Sequence, residues 1–432
     1  MIDVAQYTSD CIKRAAKGSY GARIAVIAFV VLLAGSLNAQ NLSPAWIELG
    51  ENGQAIVRIV VASAQSCPTI RINGAGHAMS LREPVPAGFR PACEFKLPSV
   101  VKSAKVGAQS LALPTRNPSR VVVIGDTGCR IKSGRFQDCN DPSQWPFERI
   151  ASHAATENPE LVIHVGDYLY RESPCPADSE TKCGEIPPGD NWDAWNADFF
   201  TPATKLLAAA PWAFSRGNHE DCKRSWRGWF YYLDPRPWTE TCQQYSQPYV
   251  IKLGAFELAM LDSSAVNEDF AEEKQVSAYA AQLASIHLKN GWLADHHPFW
   301  GFKEDSAGQP PAPLSAPLQA AWDRAQPQGI GLILSGHIHL FEYVTMDHGR
   351  PIQLVAGDGG TDLAVPIETS LKGIKIHGET VVSSRSKRQF GYTLLTKSGK
   401  TWHLSLKNGV REVLVECSVP ASKAGCTSPG SD

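Results

Sequence analysis

LVIHVGDYLY, residues Leu161–Tyr170, decides how this chain is read. Leu161 to Val165 is a near-continuous apolar run, the pattern of a strand covered on both faces. It stops on Gly166-Asp167, where a residue without Cβ turns the chain and a hard oxygen donor follows. Four further apolar runs end in candidate ligands, three of them through a glycine. Arg120–Ile124 runs into Gly125-Asp126-Thr127-Gly128, and Trp212–Phe214 leads to Gly217-Asn218-His219-Glu220. Leu293-Ala294 leads to Asp295-His296-His297-Pro298, and Ile330–Ser335 to Gly336-His337-Ile338-His339. In open α/β sheets ligands collect at the carboxyl ends of strands. A single Gly-Asp is ordinarily a turn and a single buried His ordinarily a core residue, so it is the ordered recurrence that carries the reading. His337 and His339 are two apart, so in an extended segment they project to one side.

Working outward, Phe256–Leu261 and Ile352–Ala356 are further apolar runs. Helical spacing appears over Phe147–Thr156 after Pro146, over Asp193–Phe200 and over Phe270–Leu288. The alternation predicts an α/β domain over 118–410. The acidic, polar stretch Asn267–Gln275 reads as a solvated helix start. Residues 41–117 hold short β-type runs such as Ala55–Ala62 and Thr69–Ile72, broken by Asn73-Gly74 and by prolines, and read as a small all-β domain. Pro114, Asn117 and Pro118 make the linker, and 411–432 reads as a C-terminal tail.

The chain has 432 residues, enough for two or three domains at roughly 150 residues each. Lys plus Arg is 41 and Asp plus Glu 43, so a net charge of −2 offers no bulk field for nucleic acid or an anionic membrane. Lys13, Arg14, Lys17 and Arg23 precede an apolar run from Ile24 to Ala34, the layout of a secretory signal over 1–39. That run is short of the ~20 residues a membrane-spanning helix needs, so no stable span is expected after signal removal, a single-span anchor being the competing reading. Outside that segment ten cysteines fall in neighbouring couples: Cys67/Cys93, Cys129/Cys139, Cys175/Cys183, Cys222/Cys242 and Cys417/Cys426. No C-x-x-C occurs, which favours sequential disulfides in a secreted or periplasmic protein over a zinc or redox site.

The ordered motifs resemble the metallophosphoesterase (calcineurin-like) superfamily over about Val121 to Gly360, and within it the purple acid phosphatases. Position 128 is Gly where most of that superfamily has the His of Asp-x-His, and Gly166-Asp167-x-x-Tyr170 supplies a replacement donor. This compensating pair marks the purple branch. The resemblance implies a metallophosphoesterase-type β-sandwich flanked by helices, with the small all-β region in front of it. It implies Asp126, Asp167, Tyr170 and His339 on an Fe(III), and Asp167, Asn218, His296 and His337 on a divalent Fe, Zn or Mn, with Asp167 shared. The phenolate and carboxylates suit the harder ion.

The activity implied is hydrolysis of phosphate monoesters by a metal-bound hydroxide attacking phosphorus. His219 is expected to protonate the leaving oxygen, with an orienting role as the alternative. His297 is expected to face substrate, its role exchanging with that of His296 if the register moves by one. Arg216 is expected either to meet a substrate phosphate or to serve as a structural ion-pair partner. The rival readings are a phosphodiesterase or nucleotide hydrolase on the same centre, and a secreted binding protein whose site is vestigial.

Overall fold

Along Arg120–Ile124 the side chains alternate and both faces are covered. Val121 and Val123 pack into a core that also holds Leu258, Leu332 and Leu354, whereas Val122 and Ile124 pack with Phe147, Ile150 and Ala154 of the helix Phe147–Thr156. That double coverage is why the run is continuously apolar. The computed structural model describes residues 43–421, apart from 66, 133–134, 177–178 and 305–311, and residues 425–428. The expected signal segment lies outside them.

Among the described residues two large sheets face one another across the first of these cores. In the ten-stranded sheet Arg120–Ile124, Leu161–His164 and Trp212–Phe214 are neighbours and parallel. In the eight-stranded sheet Phe256–Met260, Gly291–Ala294, Ile330–Ser335 and Ile352–Ala356 are likewise parallel neighbours. Helices Glu273–Ser285 and Ala316–Ala325 cover its outer face, Tyr279, Leu283, Leu318 and Trp322 packing with Leu293 and Ile333. The result is a helix-flanked β-sandwich, as the resemblance implies.

The N-terminal region is strand-rich, and its strands extend the first sheet. Trp46–Leu49 pairs in parallel with Trp212–Phe214 and antiparallel with Ala55–Val60, which continues to Ala92–Lys96. The fully buried Arg58 ties this edge to the domain beyond the linker. Its guanidinium meets Glu48 at 2.6 Å, Glu94 at 3.2 Å and the carbonyls of Tyr232 and Asp234 at 2.9 and 2.7 Å. A separate four-stranded sheet contains the hairpin Thr69–Ile72/Ala75–Ala78. Asn73 and Gly74 turn it with φ of 51° and 90°, as a tight two-residue hairpin requires.

At the other edge Gly391–Ser398, Thr401–Asn408 and Val413–Val419 form a meander that joins the first sheet beside Arg120–Ile124. Residues 413–419, read from sequence as part of a tail, are thus an edge strand. All five neighbouring cysteine couples are bonded. No helix among the described residues is long and apolar enough to cross a membrane.

Glu342 is buried in this framework, accepting from the Phe302 amide at 3.1 Å and the Ser386 hydroxyl at 3.3 Å. Burial pushes its carboxyl up to about 8. The folded state therefore holds this proton more tightly than the unfolded chain, and stability falls as pH rises from the ordinary carboxyl range to about 8. Glu342→Gln removes that titration. In thermal melts its Tm is expected to decline less than wild type between those limits, the difference amounting to as much as ~4 kcal/mol. Parallel declines would contradict this.

Candidate metal centre

Asp126, Asp167 and His337 adopt the left-handed conformation with φ of 54°, 60° and 71°. Non-glycine residues there are strained, and such strain persists where surrounding contacts over-determine it. Here the strand-end loops brace one another. Asp126 N donates to Gly166 O and Thr127 N to Asp167 O, both at 3.0 Å, and Gly336 N donates to His296 O at 3.0 Å across to the second sheet's other loop. Close approach explains the glycines. A Cβ at Gly217 would stand 2.0 Å from Asp167 Oδ1, and one at Gly128 would stand 2.4 Å from Tyr168 O and 2.9 Å from Tyr170 Cδ2. The Tyr170 ring thus lies against the position where an Asp-x-His motif would carry its histidine.

The seven residues expected as ligands come together. Tyr170 Oη lies 2.7 Å from Asp167 Oδ2, 3.1 Å from Asp126 Oδ1 and 2.9 Å from His339 Nε2. His296 Nε2 is 2.8 Å from Asn218 Oδ1 and 3.3 Å from Asp167 Oδ2, and His337 Nδ1 is 3.1 Å from the same amide oxygen. The far ring nitrogen of each histidine is tied down. His296 Nδ1 meets Val165 O at 2.8 Å, His339 Nδ1 meets Asp362 O at 2.9 Å, and His337 Nε2 meets Glu268 Oε1 at 3.0 Å. Donation at those atoms leaves the opposite lone pairs facing the cluster, the arrangement seen in metal-binding histidines.

The donor set fits cations. Asp126 and Asp167 are fully buried with no Lys or Arg ion pair among the described residues. Burial pushes the Tyr170 phenol well above its ordinary value, and Asp167 and Asp126 push it further. Burial works to lower His296, yet the Asp167 charge raises it to about 10. The site thus gathers protons to balance negative charge, as it would gather metal ions. Two triads share His296. The ligand atoms of Asp126, Asp167 and His296 lie within 4.8 Å of one another, and so do those of His296, His297 and His337.

The remaining expected residues divide. His219 lies beside the cluster, its ring centroid 3.9 Å from that of Tyr170 and its Nδ1 2.9 Å from Glu172 Oε1. His297 is buried, with its ring 4.1 Å from that of His337 and its Nδ1 without a hydrogen-bond partner among the described residues. It packs with the other imidazoles rather than lining the open cavity, which differs from the substrate-facing place expected for it. Arg216 is turned away from the cavity. Its guanidinium is spent on Asp262 at 3.1 Å and on the carbonyls of Glu220 and Gln243 at 2.7 and 2.6 Å. This is the structural-partner alternative, and the substrate contact finds no support in that geometry.

Three carboxylates matter here that the motifs do not announce. Glu220 accepts from the amides of Tyr168 and Leu169 at 2.9 and 3.1 Å and from those of Asp167 and Gly217 at 3.2 Å. Asp198 accepts from Tyr170 N at 2.9 Å and Arg171 Nε at 2.7 Å. Glu268, in the stretch read as a solvated helix start, instead reaches His337, and the helix begins later, at Glu273. Only Glu220 had a nearby sequence signal, its place in Gly217-Asn218-His219-Glu220. Asp167, Asn218, His219, Glu268, His337 and His339 open onto a cavity of about 220 Å³. A larger cleft of about 980 Å³ includes Gly291, Ile330 and Ile352 at the opposite, starting ends of the parallel strands, away from these donors.

Residues 119–341 match the family model described as calcineurin-like phosphoesterase. No curated protein matches the chain. Among solved structures, the purple acid phosphatase PPD1 from yellow lupin (Lupinus luteus) seeds is similar with a TM-score of 0.53 and 14% identity, over 87% of this chain and 73% of that one. PhoD is similar with a TM-score of 0.54 and 11% identity, over 92% of this chain and 94% of that one. At such identities the two structures speak for the fold, while the family match takes in more than half the chain and the strand ends that carry the donor cluster. This chain belongs to the calcineurin-like phosphoesterase family and is a phosphoric ester hydrolase.

Proposed function

We propose that the protein is a secreted or periplasmic binuclear phosphatase of the purple acid type, acting on small phosphate monoesters. The observation that carries the reading is Gly128 in the place of a histidine together with the placement of the Tyr170 hydroxyl among Asp126, Asp167 and His339. In this reading Asp126, Asp167, Tyr170 and His339 hold an Fe(III), Asp167, Asn218, His296 and His337 hold a divalent Fe, Zn or Mn, and Asp167 is shared. Bound there, the ions supply Lewis acidity that draws in the phosphate and acidifies a water. His219 serves the leaving oxygen. Glu172 Oε1 stands 2.9 Å from its Nδ1, so in the imidazolium Nε2 is the position from which a proton can be given up. Five disulfides suit an oxidising compartment. The region 118–410 is taken as the catalytic domain and 1–39 as the signal.

The test is a visible spectrum of oxidised protein supplied with iron, alongside turnover of an aryl phosphate. Wild type is expected to be violet through tyrosinate-to-Fe(III) charge transfer. Tyr170→Phe is expected to be colourless with an unchanged far-ultraviolet circular dichroism spectrum. A coloured Tyr170→Phe protein, or a colourless wild type with iron bound, would defeat the assignment.

A further inference from the structure

Arg130 follows Asp126 by four residues, on the loop closed by the Cys129–Cys139 disulfide. Its backbone is pinned at both ends. Arg130 N donates to Gln137 Oε1 and Gln137 N donates to Arg130 O, each at 2.8 Å. Gln137 is in turn buried, its Nε2 donating to the carbonyls of Gln144 and Gly360 at 2.7 and 3.1 Å. The guanidinium lies over the Tyr170 ring, its Cζ 5.0 Å from the centroid, and lines the cavity together with Asp167, Asn218, His219 and His339.

Unlike Arg216, this arginine has unspent donors. Among the described residues its side chain has no ion-pair partner, and its Nε is buried without a hydrogen bond. Leaving such a donor unpaired costs free energy that a ligand in the cavity would recover. The planar fork matches the oxygens of a phosphate, and the ring beneath it limits the directions in which it can point. A monoester dianion carries three terminal oxygens and a diester monoanion two. The fork gains most from the oxygen that only the monoester has.

We infer that Arg130 is the specificity-determining residue of this cavity, taking the terminal phosphate oxygen that a monoester presents and a diester replaces with a second alcohol. The inference rests on the phosphomonoesterase reading above and adds the residue that enforces it. Arg130 contributes no side-chain hydrogen bond to the fold, so Arg130→Met is expected to melt as wild type does.

With 4-nitrophenyl phosphate, kcat/KM is expected to fall about 30–100-fold in Arg130→Met, the size of a lost charge-assisted pair, and about 10-fold in Arg130→Lys. With bis(4-nitrophenyl) phosphate the fall is expected to stay within about 3-fold. Calorimetric binding of inorganic phosphate to the metal-loaded protein is expected to weaken in step with the monoester, and the visible band is expected to stay in place. Equal losses for the two esters, or unchanged phosphate binding, would overturn the inference. So would a shifted band, since the arginine would then act through Tyr170. A wild type that hydrolyses neither ester would defeat the functional reading instead, and phosphate binding by wild type against Arg130→Met would still judge the arginine.

Discussion

Asp167→Asn is expected to abolish metal loading and to lower turnover of an aryl phosphate by about 10³-fold or more, equivalent to ~4 kcal/mol of transition-state stabilisation. In the proposed assignment this carboxylate is the one group common to both ions. The geometry makes it the junction of the site. Its Oδ1 accepts from His219 N at 2.9 Å, and its Oδ2 lies 2.7 Å from the Tyr170 hydroxyl and 3.3 Å from His296 Nε2. The amide is close in volume, so the fold is expected to survive while the charge that gathers cations is lost. Metal analysis by atomic emission after dialysis reads the first effect and steady-state kinetics the second. Retention of both ions by Asp167→Asn would remove the shared-ligand assignment.

Glu220→Leu is expected to cost several kcal/mol of stability and to take metal binding with it. Leucine fills the space but leaves four buried amides, those of Asp167, Tyr168, Leu169 and Gly217, without their acceptor. Each unsatisfied amide costs about 1–3 kcal/mol, partly relieved by relaxation of the loop. That loop carries Asp167 and Tyr170, so its relaxation displaces two donors at once. Burial pushes the Glu220 carboxyl up, with the Asp167 charge adding to the shift, while each of its oxygens accepts from two amides. Glu220→Gln keeps one acceptor oxygen and is expected to lose roughly half the effect. Denaturant melts of the metal-free proteins separate scaffold from metal contribution. Equal stability of Glu220→Leu and wild type in that state would show that the loop holds its shape without the carboxylate.

The strands that end in donors were readable because both parts of each motif are local. Continuous Val, Ile and Leu marks a strand covered on two faces, and the residue types just past its end name the chemistry. Arg120–Ile124, Trp212–Phe214 and Ile352–Ala356 fall where those runs place them. The outer two strands of the meander, Thr401–Asn408 and Val413–Val419, escaped that reading because they alternate. In Thr401–Asn408 only Trp402, Leu404 and Leu406 face the core, so no apolar run appears. Glu268 escaped because it lies in a polar stretch whose contact, His337, is a residue of another strand end. The two arginines show the limit most plainly. Both adjoin candidate ligand motifs, Arg216 just before one and Arg130 just after another, and their roles separate because Asp262 and the Gln243 carbonyl occupy the fork of Arg216 while the Nε of Arg130 has no hydrogen bond among the described residues.

From sequence alone came the family resemblance, the seven-donor set and the neighbouring cysteine couples, since residue identity and strand period are properties of short segments. Only the tertiary structure decided that three strand ends of one sheet and two of the other meet at Tyr170 and Asn218, that Asp126, Asp167 and His337 take left-handed backbones, and that the N- and C-terminal strands extend the first sheet. The physical reason is that strand pairing uses the amide and carbonyl groups every residue carries, so it leaves no side-chain signature. Which donors converge then depends on how the two sheets stack, a relation between segments that lie far apart in the chain.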